Sequence, residues 1–171
     1  MKSKNQKMKS KAVLYIAGEG GHLTQMKRLI FRIQNEENIN KNVRNILLTE
    51  VETQIEYFDE IVYIKNMRDK IDRKKTLSNI LPVLKNNFSL IKNLKNKYNI
   101  ELVISTGPGI CILPSLYYKL KKKQIIYFET WCRFEKLSLT GKIMKHIADI
   151  FYIQNKELCS KNKKSIYCGL L

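Results

Sequence analysis

Residues 12–26 have the sequence AVLYIAGEGGHLTQM, which predicts a strand, a glycine-rich turn and the start of a helix. A short apolar run rich in β-forming residues, 12–16, stops at four residues that include three glycines, 18–21. From His22 to Arg32 the apolar residues then recur at helical spacing. Strand, turn and helix in this order form the unit from which parallel α/β sheets are built.

The same alternation continues along the rest of the chain. Further short apolar runs predict strands, at 46–48, 61–64, 102–105, 124–128 and 150–153. Helical patterns follow three of them, at 76–98, 110–120 and 139–148. The polar stretch 65–75 is predicted to be a loop. Nearly continuous apolar strands between helices predict a parallel sheet covered on both faces, hence a doubly wound, Rossmann-like α/β fold.

Length and composition indicate one ordinary domain. The protein has 171 residues, of which 44% are apolar and 27% charged, enough to bury a hydrophobic core. Residues 1–11, MKSKNQKMKSK, hold five lysines and little that can pack, so they are predicted to form a basic, mobile arm. Residues 12–171 are predicted to form a single folded domain.

The charge of the chain is strongly positive. Lysine and arginine outnumber aspartate and glutamate by 32 to 15, a formal net charge of +17, which favours a phosphorylated ligand, a membrane surface or nucleic acid as partner. Many lysines accompany many isoleucines and asparagines, the residues of A- and T-rich codons, so the charge alone is weak evidence. Because the lysines are spread along the chain, and no basic-aromatic pattern occurs, nucleic acid is not the expected partner.

Several classes of protein are excluded by what the sequence lacks. No apolar run reaches the roughly 18 residues of a membrane span, and the lysine-rich start has no apolar signal-peptide core. The protein is therefore expected to stay in the cytoplasm. The four cysteines are far apart and have no histidine nearby at ligand spacing. They are expected to be reduced thiols, and no metal or cofactor is predicted.

Gly18, Gly20 and Gly21 form the first candidate binding loop. Glycines let the backbone approach a ligand closely, and a helix start offers free N–H groups to a phosphate. Packing of the turn is the competing explanation, and Glu19 would repel an anion. His22 falls in the first helical turn, where the helix dipole disfavours imidazolium and leaves a neutral ring that can accept a proton. A histidine that only donates a hydrogen bond within the turn is an equal alternative.

Two more loops are expected at the same edge of the sheet. Thr106, Gly107 and Gly109 follow the strand at 102–105 and are expected to form the second wall of a binding crevice.

The segment after the strand at 124–128 carries Glu129, Thr130, Trp131 and Arg133. Glu129 is a candidate to orient a sugar hydroxyl or to act as a base, and Thr130 offers a hydroxyl. Arg133 can bind phosphate through two N–H donors. The alternative is structural, with Trp131 as a packing residue and Glu129 and Arg133 paired on the surface.

Three motifs resemble those of one protein family. They are GEGGHLTQM at Gly18 to Met26, VISTGPG at Val103 to Gly109, and YFETWCRFEKLSLTGKIMKHIADIFYIQ at Tyr127 to Gln154. In order and spacing they resemble the asparagine-linked glycosylation protein 14 family, the membrane-anchoring subunit of the dolichyl-pyrophosphate N-acetylglucosamine transferase, with bacterial relatives in capsule and exopolysaccharide synthesis. More distantly, the chain is similar to the amino-terminal half of the peptidoglycan lipid II glycosyltransferase.

The resemblance implies the acceptor-side, amino-terminal half of a GT-B glycosyltransferase. The donor-binding half would be a separate subunit similar to asparagine-linked glycosylation protein 13, without which this chain is expected to be inactive. Together they would add a sugar from a UDP-sugar to a polyprenyl-pyrophosphate-linked acceptor in capsular or exopolysaccharide biosynthesis. His22 is the expected base, with Glu129 second. The alternative function is a self-sufficient small α/β enzyme acting on a nucleotide or phosphorylated sugar.

Two features depart from the family pattern. Eukaryotic members begin with a hydrophobic anchor, whereas this chain begins with lysines. Attachment to the cytoplasmic face of the cell membrane is therefore expected to be peripheral, through anionic lipid. Glu19 stands where a small residue is common, which weakens the phosphate-binding role of the first loop.

Overall fold

A computed structural model describes residues 9–36, 42–65 and 73–171, with side chains from residue 81 onward in the long second helix. Within these residues the elements are β1 (Lys11–Ile16), α1 (Gly21–Gln34), β2 (Arg44–Thr49), β3 (Glu60–Tyr63), α2 (Arg73–Lys97), β4 (Asn99–Ser105), α3 (Ile112–Leu120), β5 (Gln124–Phe128), α4 (Leu139–Ile147), β6 (Ile150–Ile153), α5 (Lys156–Ser160) and β7 (Ile166–Tyr167). A short 3₁₀ turn, Gly109–Cys111, leads into α3.

The strands form one parallel sheet. In the described part of the chain their order is β3-β2-β1-β4-β5-β6-β7, and every neighbouring pair runs parallel. Strands β2 and β3 therefore lie on one side of β1, and strands β4 to β7 lie in succession on its other side. The predicted doubly wound, Rossmann-like fold is confirmed.

Alternate residues of each strand pack into two hydrophobic layers. On one face Leu14 and Ile16 of β1 belong to the layer that includes buried residues of α2, α3 and α4. On the other face Tyr15 packs with Met26 and Ile30 of α1. Since side chains alternate across a strand, one strand can serve both layers, as a sheet covered on both faces requires.

The long helix α2 begins earlier than predicted. It starts at Arg73, inside the stretch 65–75 predicted as loop, of which residues 66–72 lie outside the described part. Its first residues are arginine and lysines, which favour helix but carry no apolar periodicity, so the pattern gave no signal there. Pro82 consequently lies inside the helix.

The apolar residues that recur at helical spacing in α2 are only partly buried. Ile91 and Leu94 are in the core, whereas Leu81 and Phe88 are 77% and 47% exposed. None of the described helices combines the length and the apolar character needed to cross a membrane.

The first described residues are attached to the domain. The Lys9 ammonium donates to the carbonyl oxygen of Lys95, and the N–H of Asn99 donates to the carbonyl oxygen of Ser10. Lys11 is already the first residue of β1. Of the predicted arm, residues 1–8 lie outside the described residues.

Two elements were missed by the sequence analysis. Helix α5 is capped by Asn155, whose side-chain oxygen accepts from the N–H of Leu158 at 2.9 Å. Strand β7 pairs with β6 at the edge of the sheet, and its two side chains are exposed. Neither element is long enough to show a hydrophobic period.

Candidate functional site

The candidate site lies where the strand order of the sheet reverses. β1 and β4 are neighbours, and the loops that follow them leave the same edge of the sheet. The loops are bonded to each other, since the N–H of Gly18 donates to the carbonyl oxygen of Gly107 at 3.1 Å. In doubly wound folds this reversal point is where ligands bind.

The glycines of these loops are required by the local geometry. A Cβ at position 18 would lie 2.2 Å from Cδ of Pro108, well inside contact distance. Gly20 and Gly107 have φ angles of 68° and 87°, in the left-handed region that favours glycine. Packing and turn geometry therefore account for these three glycines without a ligand.

His22 is held against the second loop by two hydrogen bonds with Thr106. Its Nδ1 lies 2.6 Å from the carbonyl oxygen of Thr106, and the Thr106 hydroxyl donates to the carbonyl oxygen of His22 at 2.8 Å. A carbonyl oxygen can only accept, so the proton is assigned to Nδ1, which donates. In the neutral ring Nε2 then carries the lone pair and can accept a proton.

A cavity of about 840 Å³ opens beside His22. The residues that line it from the loop after β1, the start of α1 and the end of β2 are mostly polar. Those from the second loop, α3 and α4 are mostly apolar, apart from Thr140. The lining residues are Glu19, Gly20, His22, Glu50, Pro108, Gly109, Ile112, Leu139, Thr140 and Ile143. A ligand with sugar hydroxyls at one end and an apolar part at the other matches this lining.

Two carboxylates share the polar side of the cavity. Glu50 follows β2, and its Oε1 lies 3.4 Å from the N–H of Glu19 in the first loop. Carboxylates accept hydrogen bonds from hydroxyls and repel phosphate. These two carboxylates can therefore accept hydrogen bonds from the hydroxyls of a sugar.

Glu129 does not line this cavity and is only 1% exposed. Its Oε1 accepts from the N–H of Thr130 at 2.9 Å, and its Oε2 accepts from both the N–H and the hydroxyl of Ser138 at 3.1 Å. Ser138 in turn caps α4 by accepting from the N–H of Gly141 at 2.8 Å. This geometry favours Glu129 as a residue that positions α4, rather than as a base.

We expect substitution of Gly141 by alanine to destabilise the protein. A Cβ at position 141 would lie 1.7 Å from Oε2 of Glu129. Because that carboxylate is buried and held by hydrogen bonds, the clash should lower the free energy of unfolding by about 1 to 3 kcal/mol in chemical denaturation. Gly21→Ala is the matched control, since its Cβ would lie no closer than 3.8 Å to Nε1 of Trp131. Equal stability of the two variants would contradict the arrangement around Glu129.

The rest of the third predicted segment lies away from the cavity. The carbonyl oxygen of Thr130 closes a turn by accepting from the N–H of Arg133 at 3.2 Å, and the Arg133 side chain is exposed. Trp131 is half-buried, with the Arg28 guanidinium 5.1 Å from its ring centre. The surface pair considered for Glu129 and Arg133 is absent from the ion pairs of the described residues, because Glu129 is buried.

Two other ionisable groups near the loops hold their protons. Burial raises the pKa of the Cys111 thiol to about 12. Burial, with the nearby charge of Glu129, raises the pKa of Tyr127 well above its usual value. Both groups stay protonated near neutral pH, so His22 is the better candidate for accepting a proton.

A second cavity, of about 560 Å³, is elsewhere on the molecule. It lies between the carboxyl end of α1, the loop before β3 and the middle of β1 and β4. Tyr15, Phe58 and Ile104 are among its lining residues, and it contains none of the predicted site residues. The chemistry-bearing loops therefore belong to the cavity beside His22.

The structure brings together most of the predicted residues of the first two loops. Gly20, His22 and Gly109 line the cavity, and Gly18, Thr106 and Gly107 support them through the contacts described above. Gly21 begins α1 beside Trp131. Glu129, Thr130 and Arg133 stand outside the cavity lining.

The other half of the lining was not among the predicted site residues. Glu50 stands two residues after the predicted strand at 46–48 and directly after the observed β2, so its position near a strand end was a usable signal. Leu139, Thr140 and Ile143 belong to the predicted helix at 139–148, and no local pattern shows which face of that helix meets the first loop.

Comparison with known proteins gives a consistent result. The family model described as "Oligosaccharide biosynthesis protein Alg14 like" matches residues 13–171. The UDP-N-acetylglucosamine transferase subunit ALG14 of Rattus norvegicus is 29% identical to this chain, over 94% of the chain and 82% of the rat protein. The subunit of the same name from Schizosaccharomyces pombe is 24% identical, over 100% of this chain and 88% of the yeast protein.

Solved structures share the fold at low sequence identity. MurG from Acinetobacter baumannii superposes with a TM-score of 0.55 at 15% identity, over 84% of this chain and 41% of MurG. The UDP-GlcNAc 2-epimerase of Neisseria meningitidis superposes with a TM-score of 0.61 at 14% identity, over 93% of this chain and 46% of the epimerase. This chain thus spans less than half of either solved chain. With a family model covering nearly all of its length, the chain belongs to the Alg14-like family of oligosaccharide biosynthesis proteins.

Proposed function

We propose that this chain is the acceptor-binding subunit of a two-component glycosyltransferase and recruits that enzyme to the membrane. The enzyme would transfer a sugar from a UDP-sugar to a polyprenyl-pyrophosphate-linked acceptor, in capsular or exopolysaccharide biosynthesis. The observation that carries the proposal is His22, whose Nε2 is left free by the bond from Nδ1 to Thr106, on a cavity at the reversal point of the sheet. The names of the rat and yeast relatives support a shared enzyme with UDP-N-acetylglucosamine as donor.

In this proposal His22 acts as the general base. The acceptor hydroxyl donates a hydrogen bond to Nε2 and attacks the anomeric carbon of the UDP-sugar, which the partner subunit holds. A bond forms between the hydroxyl oxygen and the anomeric carbon, the bond to the UDP oxygen breaks, and UDP leaves with that electron pair. The hydroxyl proton passes to Nε2.

The lining of the cavity suggests how the acceptor is oriented. Glu19 and Glu50 would accept hydrogen bonds from hydroxyls of its sugar, while Ile112, Leu139 and Ile143 offer apolar contact. Acceptor or phosphate binding by Gly18, Gly20, Gly21, Thr106, Gly107, Gly109, Thr130 and Arg133 stays a prediction.

We expect the isolated chain to bind an acceptor and not a UDP-sugar. The probe is a short-chain polyprenyl-pyrophosphate carrying one N-acetylglucosamine, titrated by calorimetry. Glu50→Ala should raise Kd by about 10- to 100-fold, since hydrogen bonds to a charged group contribute roughly 1.5 to 3 kcal/mol. Glu52→Ala removes the same charge from an exposed position two residues away and should leave Kd unchanged. An equal loss in both variants would contradict acceptor binding in this cavity.

A surface patch on α2 and α3 supports membrane association. Leu81, Phe88, Leu116 and Leu120 are between 44% and 77% exposed. The two helices are joined by an edge contact between the rings of Phe88 and Tyr117, 5.5 Å apart. Helix α2 also carries the exposed Lys85, Lys92 and Lys95, and the exposed Lys121 directly follows α3. Apolar side chains surrounded by lysines suit the surface of an anionic bilayer.

We expect the full chain to bind anionic phospholipid vesicles through this patch and its basic first residues. The Leu81→Gln/Leu120→Gln variant should bind about tenfold or more weakly in a flotation assay, because each buried leucine contributes roughly 1.5 kcal/mol or more. Deleting residues 2–8, which removes three lysines, should weaken binding and flatten its salt dependence.

Phe31→Gln is the control for the patch. Phe31 is 52% exposed, but it belongs to α1 on the opposite face of the sheet. Vesicle binding should be unchanged in this variant. If it falls as much as in the double leucine variant, the α2 and α3 patch is not the membrane-binding surface.

A further inference from the structure

We propose that Thr106 is a positioning residue that fixes His22 in one tautomer. In that tautomer the proton is on Nδ1, so Nε2 is the ring atom that accepts the proton of the acceptor hydroxyl. The catalytic consequence rests on the proposed function, whereas the tautomer itself is a property of the isolated chain.

The bond between the His22 ring and the second loop has a reciprocal partner. Nδ1 donates to the carbonyl oxygen of Thr106, and the Thr106 hydroxyl donates back to the carbonyl oxygen of His22. The hydroxyl thereby ties the backbone of residue 22 to the residue whose carbonyl oxygen holds the ring.

The second loop is itself held in place on both sides of that carbonyl group. The N–H of Thr106 donates to the carbonyl oxygen of Ile16 at 3.2 Å, and the N–H of Gly107 donates to the Ser105 hydroxyl at 3.0 Å. Thr106 and Ser105 are fully buried. The carbonyl oxygen of Thr106 is therefore a fixed acceptor.

Gly107 lets the loop lie directly against the ring. A Cβ at this position would be 3.0 Å from Cε1 and 3.1 Å from Nδ1 of His22. The Nδ1 edge of the ring is thus closed by the loop, while His22 lines the cavity. An exposed neutral histidine prefers the proton on Nε2, and a carbonyl acceptor at Nδ1 reverses that preference.

Nitrogen NMR of the isolated chain reads the tautomer directly. The chain has two histidines, and His146→Gln assigns the signals of the exposed His146. In a long-range ¹⁵N–¹H spectrum of the neutral rings we expect His22 with a protonated Nδ1 and a bare Nε2, and His146 with the opposite preference. A His22 ring protonated on Nε2 would overturn the proposal.

Two substitutions of Thr106 test the positioning role. Thr106→Val keeps the shape and the backbone carbonyl group but removes the hydroxyl, so we expect mixed tautomers at His22. In the reconstituted enzyme kcat should fall by about 10- to 100-fold, as when the partner that orients a histidine is removed, with KM little changed. Thr106→Ser keeps the hydroxyl and should therefore keep both the single tautomer of His22 and the kcat of the unsubstituted chain. If Thr106→Val keeps the tautomer and kcat of the unsubstituted chain, Thr106 has no positioning role.

The NMR and kinetic results separate this proposal from the proposed function. The spectrum is recorded on the unsubstituted chain without its partner, so it does not depend on whether any variant folds. A protonated Nδ1 in a chain whose His22→Ala variant keeps full turnover would leave the tautomer standing and refute catalysis by His22. If Nε2 is protonated and His22→Ala still strongly lowers turnover, only the positioning role of Thr106 is refuted.

Discussion

The purified chain is expected to transfer no sugar by itself and to gain activity on addition of a donor-binding partner subunit. If the partner subunit holds the UDP-sugar, as proposed above, this chain alone has no bound donor from which to transfer a sugar. The rat and yeast relatives are likewise named as subunits of a UDP-N-acetylglucosamine transferase. Activity should therefore rise from background to full turnover on mixing. Transfer from radiolabelled UDP-N-acetylglucosamine to the lipid acceptor measures it.

The control for this result is the partner alone. Its activity should stay low in the absence of this chain and should saturate as the chain is added. Full turnover by this chain alone, with a UDP-sugar and acceptor, would contradict the two-component proposal and favour a self-sufficient small α/β enzyme.

Substitution of His22 by alanine should lower kcat of the reconstituted pair by about 10²- to 10⁴-fold, the usual contribution of acid-base catalysis. The physical reason is the loss of Nε2 as the acceptor of the hydroxyl proton. The bond from Nδ1 to Thr106 is lost as well, which should cost about 1 kcal/mol of stability. That cost leaves nearly all of a stable domain folded, so the loss of kcat would far exceed the loss of folded protein.

His146→Ala is the matched control for this variant. His146 is the other histidine of the chain and lies exposed in the last turn of α4. It should leave both kcat and the thermal midpoint nearly unchanged. A purely structural His22 would lower the thermal midpoint and reduce activity only in proportion to the unfolded fraction.

Much of the fold was predictable because the sheet is parallel and buried. Strand β6 is a continuous apolar run, and so is β5 after its first residue, Gln124. Their observed bounds, Gln124–Phe128 and Ile150–Ile153, are those predicted. The two-residue strand β7 was not predictable, because its side chains are exposed and leave no burial pattern. The start of α2 was missed because its first residues are arginine and lysines, which give no apolar period.

The site was predictable only to the level of its loops. The glycine-rich segments after β1 and β4 could be predicted to lie at one edge of the sheet. His22 could be predicted as a site residue from its position in the first turn of α1. The partner of its ring is a backbone carbonyl group 84 residues away, which no side-chain pattern encodes. Glu129 shows the converse difficulty. A carboxylate after a strand has the same local sequence whether it faces a cavity or, as here, turns inward to Ser138.

The most direct test is a titration of a fixed amount of the partner subunit with this chain or its His22→Ala variant. Saturating acceptor and UDP-N-acetylglucosamine are present, and the initial velocity is followed to its plateau. If the chain contributes the base, the two titrations should have the same half-saturating concentration, and the plateau of the variant should be about 10²- to 10⁴-fold lower. A variant plateau within about twofold of the original, far below the usual acid-base contribution, would contradict the catalytic role of His22.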